Sequence, residues 1–466
     1  MSDLGRSDFR HIAVLDIGKT NAKVVVVDVA SGAEIAAVKM PNHVLAGPPY
    51  PHYDVEGIWS FALDALARFA LMPGYDAISI TTHGASAALL DATGELALPV
   101  LDYEHDYPQP IRDAYSALRP AFAETASPTL SGGLNLGAQL HYQKRAFPEE
   151  FSRVASIMTY PQYWAFLLTG VAACEATSLG CHTDLWRPGR GEYSTLVDTL
   201  GLRRLMAPVR SAFDRLGHVR QDVSARIGLE KPVPVFCGIH DSNASLLPHL
   251  MGRESRFSVV STGTWVICFA VGGNLSALDP ARDTLANVDA HGRAVPSSRF
   301  MGGREFEMLT SDWPRPEAGE VAAAVDHMLA TGRMLLPAVV HGSGPFPDRQ
   351  HEWVGEAPQT AADAHALASI YAALMTDTCL AMLGAGGETI VEGPFADNEA
   401  YLQLLATLTG RDVLSLSGST GTSVGASMLT SARLAPQSSR RVVPRPMSSE
   451  AAYRRRWLER LGTVPA

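Results

Sequence analysis

The sequence predicts a two-domain, mixed α/β protein. Its 466 residues exceed what one ordinary hydrophobic core organises. Runs with strand character alternate with helical patterns along the whole chain. One strand–turn–strand device occurs twice, around Gly18 and around Gly263, which is the echo a duplicated α/β domain leaves, although it is too short to count as a sequence repeat. The boundary is placed near residue 245, giving an N-terminal domain over 1–245, a C-terminal domain over 246–435 and a basic tail over 436–466.

The elements follow in order. HIAVLDIGKTNAKVVVVDVASG carries two β-branched runs, Ile12–Leu15 and Val24–Val29, on either side of a polar turn centred on Gly18, and reads as a hairpin. In GIWSFALDALARFAL, Ile58, Phe61, Ala62, Ala65, Leu66 and Phe69 recur at helical spacing. AISITTHGAS reads as a buried strand, followed by a turn at Asp91–Gly94, and PQYWAFLLTG as a helix closed by a glycine. From Lys231, PVPVFCGIHDSNAS starts a new strand and turn, and RFSVVSTGTWVICFAVGG is the second strand pair. A long helix is expected from Ala361 to Leu383, then strand, turn and helix in GETIVEGPFADNEAYLQLLATLTG. The tail segments RRVVPRP and YRRRWLER read as a solvated extension rather than a partner-binding segment. Arg454, Arg455, Arg456 and Trp457 would equally suit the cap of a subunit interface, which leaves a homodimer open.

Composition narrows the function classes. Hydrophobic residues make up 46% and charged residues 18%, a globular balance. A formal net charge of −10 argues against a surface built for polyanions, so no nucleic-acid partner is expected; a nucleotide site, which can rely on backbone amides and metal, is compatible with it. Cys174, Cys181, Cys237, Cys268 and Cys379 form no CxxC pair and read as reduced, mostly buried thiols. MSDLGRSDFR lacks the apolar core of a signal peptide, and no stretch approaches the ~18 apolar residues of a membrane span. A cytoplasmic protein without membrane contact is the expectation.

Gly18-Lys19-Thr20 invites comparison with a P-loop, but that motif needs a glycine five residues earlier and a helix afterwards. Here position 13 is Ala and the turn runs into VVVV, which propagates as strand. A hairpin turn can still bind phosphate, because a tight glycine turn points consecutive N–H groups into one concavity, with Thr20 and Asn21 as added donors. Asp16 would then sit beside the phosphates and hold magnesium through water, while Lys19 or Lys23 neutralises developing charge. Taken alone, Asp-x-Gly reads more readily as an ordinary hairpin turn. The second turn, Ser261-Thr262-Gly263-Thr264-Trp265, changes the balance, since two such turns can grip a triphosphate from both sides.

These motifs, in this order over roughly residues 11–430, resemble the FGGY carbohydrate kinases of the actin/hexokinase/Hsp70-like ATPase superfamily. LDIGKTNAKVVVVD looks like the first phosphate motif, with Lys19-Thr20 where Thr-Thr is usual, and STGTW looks like the second. TTHGAS resembles the segment that places a histidine, here His83, at the sugar; GIHDSNAS resembles the segment carrying the catalytic aspartate, in wording close to rhamnulokinase- and fuculokinase-type members. EGPFADNEAYLQLLATLTGRDV resembles the adenosine motif, with Pro394 in place of a glycine, and STGTSVGAS follows it. The segment that helps choose the sugar appears as LDYEHD, with Asp102, Tyr103, Glu104 and His105 as rough counterparts. The resemblance implies two ribonuclease-H-like domains flanking a deep cleft, ATP and Mg2+ as cofactors, and phosphorylation of a sugar hydroxyl, on a ketose such as an L-ketohexose or ketopentose.

On that reading Asp241, at the end of the strand PVFCGI, is the general base and, with Asp16, a metal ligand; the competing reading is a helix N-cap for SNASLL. His240 contacts sugar or orients Asp241, and His83 sits at another strand end among Thr81, Thr82, Gly84 and Ser86. Tyr103, Glu104, Gln162 and Tyr163 are further sugar-side candidates, Trp164 a core residue, and Glu175 and Thr177 lie in a loop the resemblance puts near the substrate. For the nucleotide, Gly393 permits close backbone approach and Asn398 supplies an amide, or else caps the helix EAYLQLLATL. Two rivals remain. One is a kinase for another small acceptor (glycerol, a tetrose, a small acid). The other is a nucleotide-binding sensor or scaffold without transfer, which the joint presence of Asp16, Asp241 and Thr262-Gly263-Thr264 disfavours.

Overall fold

The computed structural model describes residues 9–253, 255–416, 421–430, 439–446 and 449–462. Most of the N-terminal MSDLGRSDFR stretch and the first two residues of STGTSVGAS lie outside them. The chain divides into two compact units: Met1–Gly252 with Ala286–Ala294 and Thr420–Pro436, and Arg253–Leu285 with Val295–Ser419 and Gln437–Ala466. The sequence boundary near 245 falls inside the helix Asp241–Leu250, so the crossing lies a few residues later, and two short segments return to the first unit.

The first unit is built on a seven-stranded sheet. Its hairpin, His11–Ile17 antiparallel to Asn21–Asp28, is β-branched and buried, as the Ile/Val runs dictate. Glu34–Pro41 extends it on one side, and Ala77–Thr82 pairs in parallel with the first strand on the other. Pro234–Phe236 and Ile239–His240 both pair in parallel with Ala77–Thr82. The helix Val55–Leu71 starts where Asp54 accepts from the Gly57 N–H, and buries Ile58, Ala62, Ala65, Leu66 and Phe69 against this sheet's core. The short helix Thr422–Ser427 belongs here too. Gly425 lies so close to the helix Asp241–Leu250 that an added Cβ would meet the Ala244 carbonyl oxygen at 1.8 Å.

The second unit repeats the scheme. Phe257–Thr262 pairs antiparallel with Val266–Val271, which pairs with Ala294–Phe300; on the other side Thr389–Glu392 and then Val413–Leu416 add in parallel. The helix Ala361–Met382 is buried on nearly all sides from Ala366 to Leu380, as its uniformly apolar and small residues require. The basic tail is not a solvated extension. Its helix Ser449–Arg460 sinks Tyr453 and Trp457 into the second unit's core, where Trp457 Nε1 donates to the Leu335 carbonyl (2.9 Å) and Arg454 pairs with Asp377 (2.6 Å). Tyr and Trp at a spacing of four put both rings on one helical face, and the arginines cover the rest. All five cysteines are buried. Among the described residues no helix is long and apolar enough to cross a membrane.

Candidate active site

Strand register assembles the chemistry of the first unit. Ile17 pairs with Thr82, and Thr82 with His240, so three parallel strands end in one row. The residues that follow, Gly18, His83 and Asp241, therefore leave the sheet at the same carboxyl edge, where α/β sheets bind ligands.

Asp241 opens its helix, and its Oδ1 accepts from Ser242 N (2.6 Å) and lies 3.2 Å from His240 Nε2. It is the first helical residue, not the N-cap, which is His240. The side chain keeps 30% exposure, yet burial of its surroundings pushes the carboxyl up from its ordinary range, opposed by His83 and by the Ser242 N–H. Asn243 Nδ2 donates to His240 Nδ1 (3.1 Å), which leaves the proton on Nε2 facing Asp241. Burial lowers His240 to about 4, so a neutral ring stands beside the carboxylate. His83 is likewise pushed down to about 4 by burial. Its Nδ1 donates to the Gly84 carbonyl (2.9 Å), its ring packs among Tyr53, Tyr160 and Tyr103, and its buried Nε2 has no partner. A neutral imidazole with one open lone pair is suited to accept from a substrate hydroxyl.

A buried chain of hydrogen bonds stands behind this edge. Thr177 Oγ1 accepts from His240 N (3.0 Å) and donates to Glu175, which also accepts from Thr177 N (2.9 Å) and Ser178 N (3.3 Å). Burial outweighs these bonds and raises the Glu175 carboxyl from 4.5 to about 7. Such a group stabilises the fold fully below its unfolded pKa and loses that contribution as pH rises through 7, on the order of 3 kcal/mol in all. Glu175→Gln, which cannot ionise, is expected to gain on the wild type in urea midpoint between about pH 5 and about pH 8. A difference that stays constant over that range would remove the ionisation of Glu175 from the account.

Asp16 lies at the end of the first strand. Burial raises its pKa most, hydrogen bonds from the Thr422 and Ser423 hydroxyls (2.8 Å for Ser423) lower it, and the charge of Asp241 raises it again. Among the described residues no group of three or more His, Cys, Asp or Glu gathers as a metal cluster. Two mutually repelling carboxylates nevertheless fit magnesium, which keeps most of its waters and takes one or two carboxylates together with substrate phosphates.

Five predicted contacts are placed differently. Lys19 does not stand free beside the phosphate turn: its ammonium pairs with Asp102 and with Glu104 (3.3 Å) and lies over the rings of Tyr53 and Tyr103. Lys23 pairs with Glu34 (2.6 Å). Gln162 is fully buried, donates to the carbonyls of Cys237 (3.0 Å) and Gly238 (3.1 Å), and braces the strand end instead of touching sugar. Tyr163 is core as well, beside Trp164, which is core as the sequence predicts. In the second unit Thr262 Oγ1 donates to the Glu392 carbonyl (2.6 Å) and accepts from Phe395 N (3.0 Å), so its hydroxyl ties the two loops together and is not open to phosphate. Gly18, Thr20, Asn21, Gly263 and Thr264 remain exposed or half-buried. A Cβ at Gly18 would meet only the Asn21 carbonyl at 3.3 Å, so the fold itself makes a weak demand for glycine there.

The second unit also holds a cavity of about 440 Å³ lined by Phe306, Arg315, His365, Ser369, Pro394 and Asn398. Gly393, just before the lining residue Pro394 and at φ +83°, packs so tightly on the neighbouring strand end that a Cβ would lie 1.9 Å from the Thr262 carbonyl oxygen. Pro394 opens a 3-10 turn, a first-turn position that needs no N–H. Asn398 is the N-cap of Glu399–Thr409, accepting from Tyr401 N (3.0 Å), and also donates to Ser369 (3.0 Å).

Residues 11–248 match the family model described as the FGGY family of carbohydrate kinases, N-terminal domain, and residues 254–439 match carbohydrate kinase FGGY, C-terminal domain. The chain belongs to the FGGY family of carbohydrate kinases. A solved carbohydrate kinase from Novosphingobium aromaticivorans is 36% identical, with a TM-score of 0.89 over 96% of this chain and 99% of that one. The xylulose kinase of Rhodospirillum rubrum shares the fold at 19% identity, with a TM-score of 0.78 over 97% and 98% of the two chains. The L-xylulose/3-keto-L-gulonate kinase of Escherichia coli (strain K12) is 25% identical over 58% of this chain and 56% of its own length, and L-fuculokinase of the same strain 26% over 55% of each. The matched region thus spans little more than half of these two relatives.

Within the family frame, sequence reasoning missed several contributors. Tyr53 and Tyr160 around His83, and Phe306, Arg315 and His365 in the cavity, carry no local motif. Thr422 and Ser423 were visible as part of STGTSVGAS, but it reads as a continuation of the adenosine motif; the fold returns it to Asp16 in the first unit.

Proposed function

We propose that this chain transfers the γ-phosphoryl group of ATP to a hydroxyl of a ketose, with Asp241 as general base. The single observation that carries the reading is the common row of Ile17, Thr82 and His240, which brings a glycine turn, a histidine with an open nitrogen and a carboxylate of raised pKa to one sheet edge. The sugar oxygen attacks the γ-phosphorus, Asp241 accepts the hydroxyl proton, and the bond to the β–γ bridging oxygen breaks to release ADP. His240 holds Asp241 in place; His83 and Tyr103 orient the acceptor. In each unit the glycine turn, Gly18–Asn21 or Gly263–Thr264, is assigned to phosphate through groups other than the Gly18 and Gly263 N–H, which donate to the carbonyls of Asn21 and Trp265 (2.9 Å each); the cavity at Pro394 and Asn398 is assigned to the nucleoside. Asp16 and Asp241 would hold magnesium, which would supply charge neutralisation at the phosphates.

The names of the relatives point to ketoses and, in one case, a keto sugar acid, so a kinase for another small acceptor is the second reading. ADP release measured across ketoses, tetroses, glycerol and small hydroxy acids is expected to be fastest on a ketose. ATP binding without turnover on the whole panel would favour the sensor reading instead.

A further inference from the structure

We infer that the acceptor site selects uncharged sugars and turns sugar acids away, with Lys19 neutralising the site's own carboxylates instead of reading a substrate's; this rests on the sugar-kinase reading above. Lys19 occupies a position in the phosphate turn, yet its ammonium reaches back to the loop carrying Asp102, Tyr103 and Glu104. Asp102 is buried, and its Oδ1 accepts also from Tyr53 OH (3.2 Å) and Glu104 N (3.2 Å). The charge of Lys19 is therefore already balanced before any substrate arrives. Lys23, the next cation along the hairpin, is balanced by Glu34.

The remaining charges near His83 are negative. The charges of Lys19 and Asp241 both bear on His83, and Asp241 in turn bears on Asp16, so these groups share one neighbourhood. His83 Nδ1 donates to the Gly84 carbonyl and His240 Nδ1 accepts from Asn243, so neither of these nitrogens is offered to a carboxylate. The unpartnered group is His83 Nε2, on a residue only 5% exposed, and as the acceptor nitrogen of a neutral ring it recognises a hydroxyl and repels an anionic oxygen. Adding a carboxylate to such a neighbourhood sets like charge against like charge in a poorly hydrated place, the means by which binding sites reject a wrong partner.

The test uses the whole protein with L-xylulose, L-fuculose and L-sorbose as neutral acceptors, and gluconate and 2-keto-L-gulonate as acids, the last being L-sorbose with its C1 alcohol replaced by a carboxylate. Calorimetric binding and ADP release are both measured. The best neutral ketose should exceed either acid by about 100-fold or more in kcat/KM. Glu104→Gln should narrow the ratio about fivefold at low salt. An acid equal to or better than the ketoses overturns the inference, and loss of that activity in Lys19→Gln would make Lys19 the carboxylate reader. Neutral sugars that bind while acids do not, with no ADP from any of them, would uphold the charge selection and overturn the kinase reading. Failure of every sugar to bind would overturn both.

Discussion

Asp241→Asn is expected to lower kcat by about 10³-fold while leaving the binding of ATP and of sugar within a few-fold of wild type. On the proposed mechanism the carboxylate has one task that an amide cannot perform, acceptance of the hydroxyl proton as the phosphorus–oxygen bond forms. Its other tasks survive. The Asn oxygen can still accept from Ser242 N and Ser242 Oγ, the two hydrogen bonds that now position the side chain. Burial already disfavours the charged form at this position, so a neutral amide should not unfold the helix start. Single-turnover measurement of ADP formation separates the chemical step from binding. Turnover within tenfold of wild type would take Asp241 out of the role of base and leave it a helix-start residue.

Asp16→Asn should cost about 10²-fold in kcat/KM for MgATP and raise the magnesium concentration needed for half-maximal rate, with little change in sugar binding. Asp16 sits at the strand end next to the Gly18 turn and is held by the hydroxyls of Thr422 and Ser423, which accounts for its orientation without assigning it a function. What distinguishes it is charge. It is a half-buried carboxylate whose pKa is raised by burial and by Asp241, an arrangement that costs stability unless a cation uses it. The amide removes that charge, so the variant is expected to melt no lower than wild type while it loses magnesium response. An unchanged magnesium titration would confine Asp16 to a structural role.

Much of this was legible in the residues. The hairpin around Gly18, the helix after Asp54, the strand before His83, the strand pair around Gly263 and the long helix Ala361–Met382 all follow from local pattern, because β-branched runs and helical spacing act within a few residues. Asp241 at a strand end was legible for the same reason. The tail was not. Its arginines suggested solvent, and only the packing of Tyr453 and Trp457 shows that they form the outer face of a core helix.

Side-chain commitments were the least legible part. Nothing local to Lys19 indicates that it bonds a loop 83 residues away, or that the Asp16 carboxylate meets a hydroxyl 406 residues away. The chain by itself determined the doubled α/β plan, the glycine turns and the place of Asp241 at a strand end, since each depends on short-range backbone preference and the alternation of apolar residues. Tertiary structure alone decided which polar groups are already satisfied: Gln162, Thr262, Lys19 and Lys23 have found protein partners, and His83 Nε2 has not. Hydrogen bonds and ion pairs form between groups brought close in space, and strand register sets that proximity independently of separation along the chain.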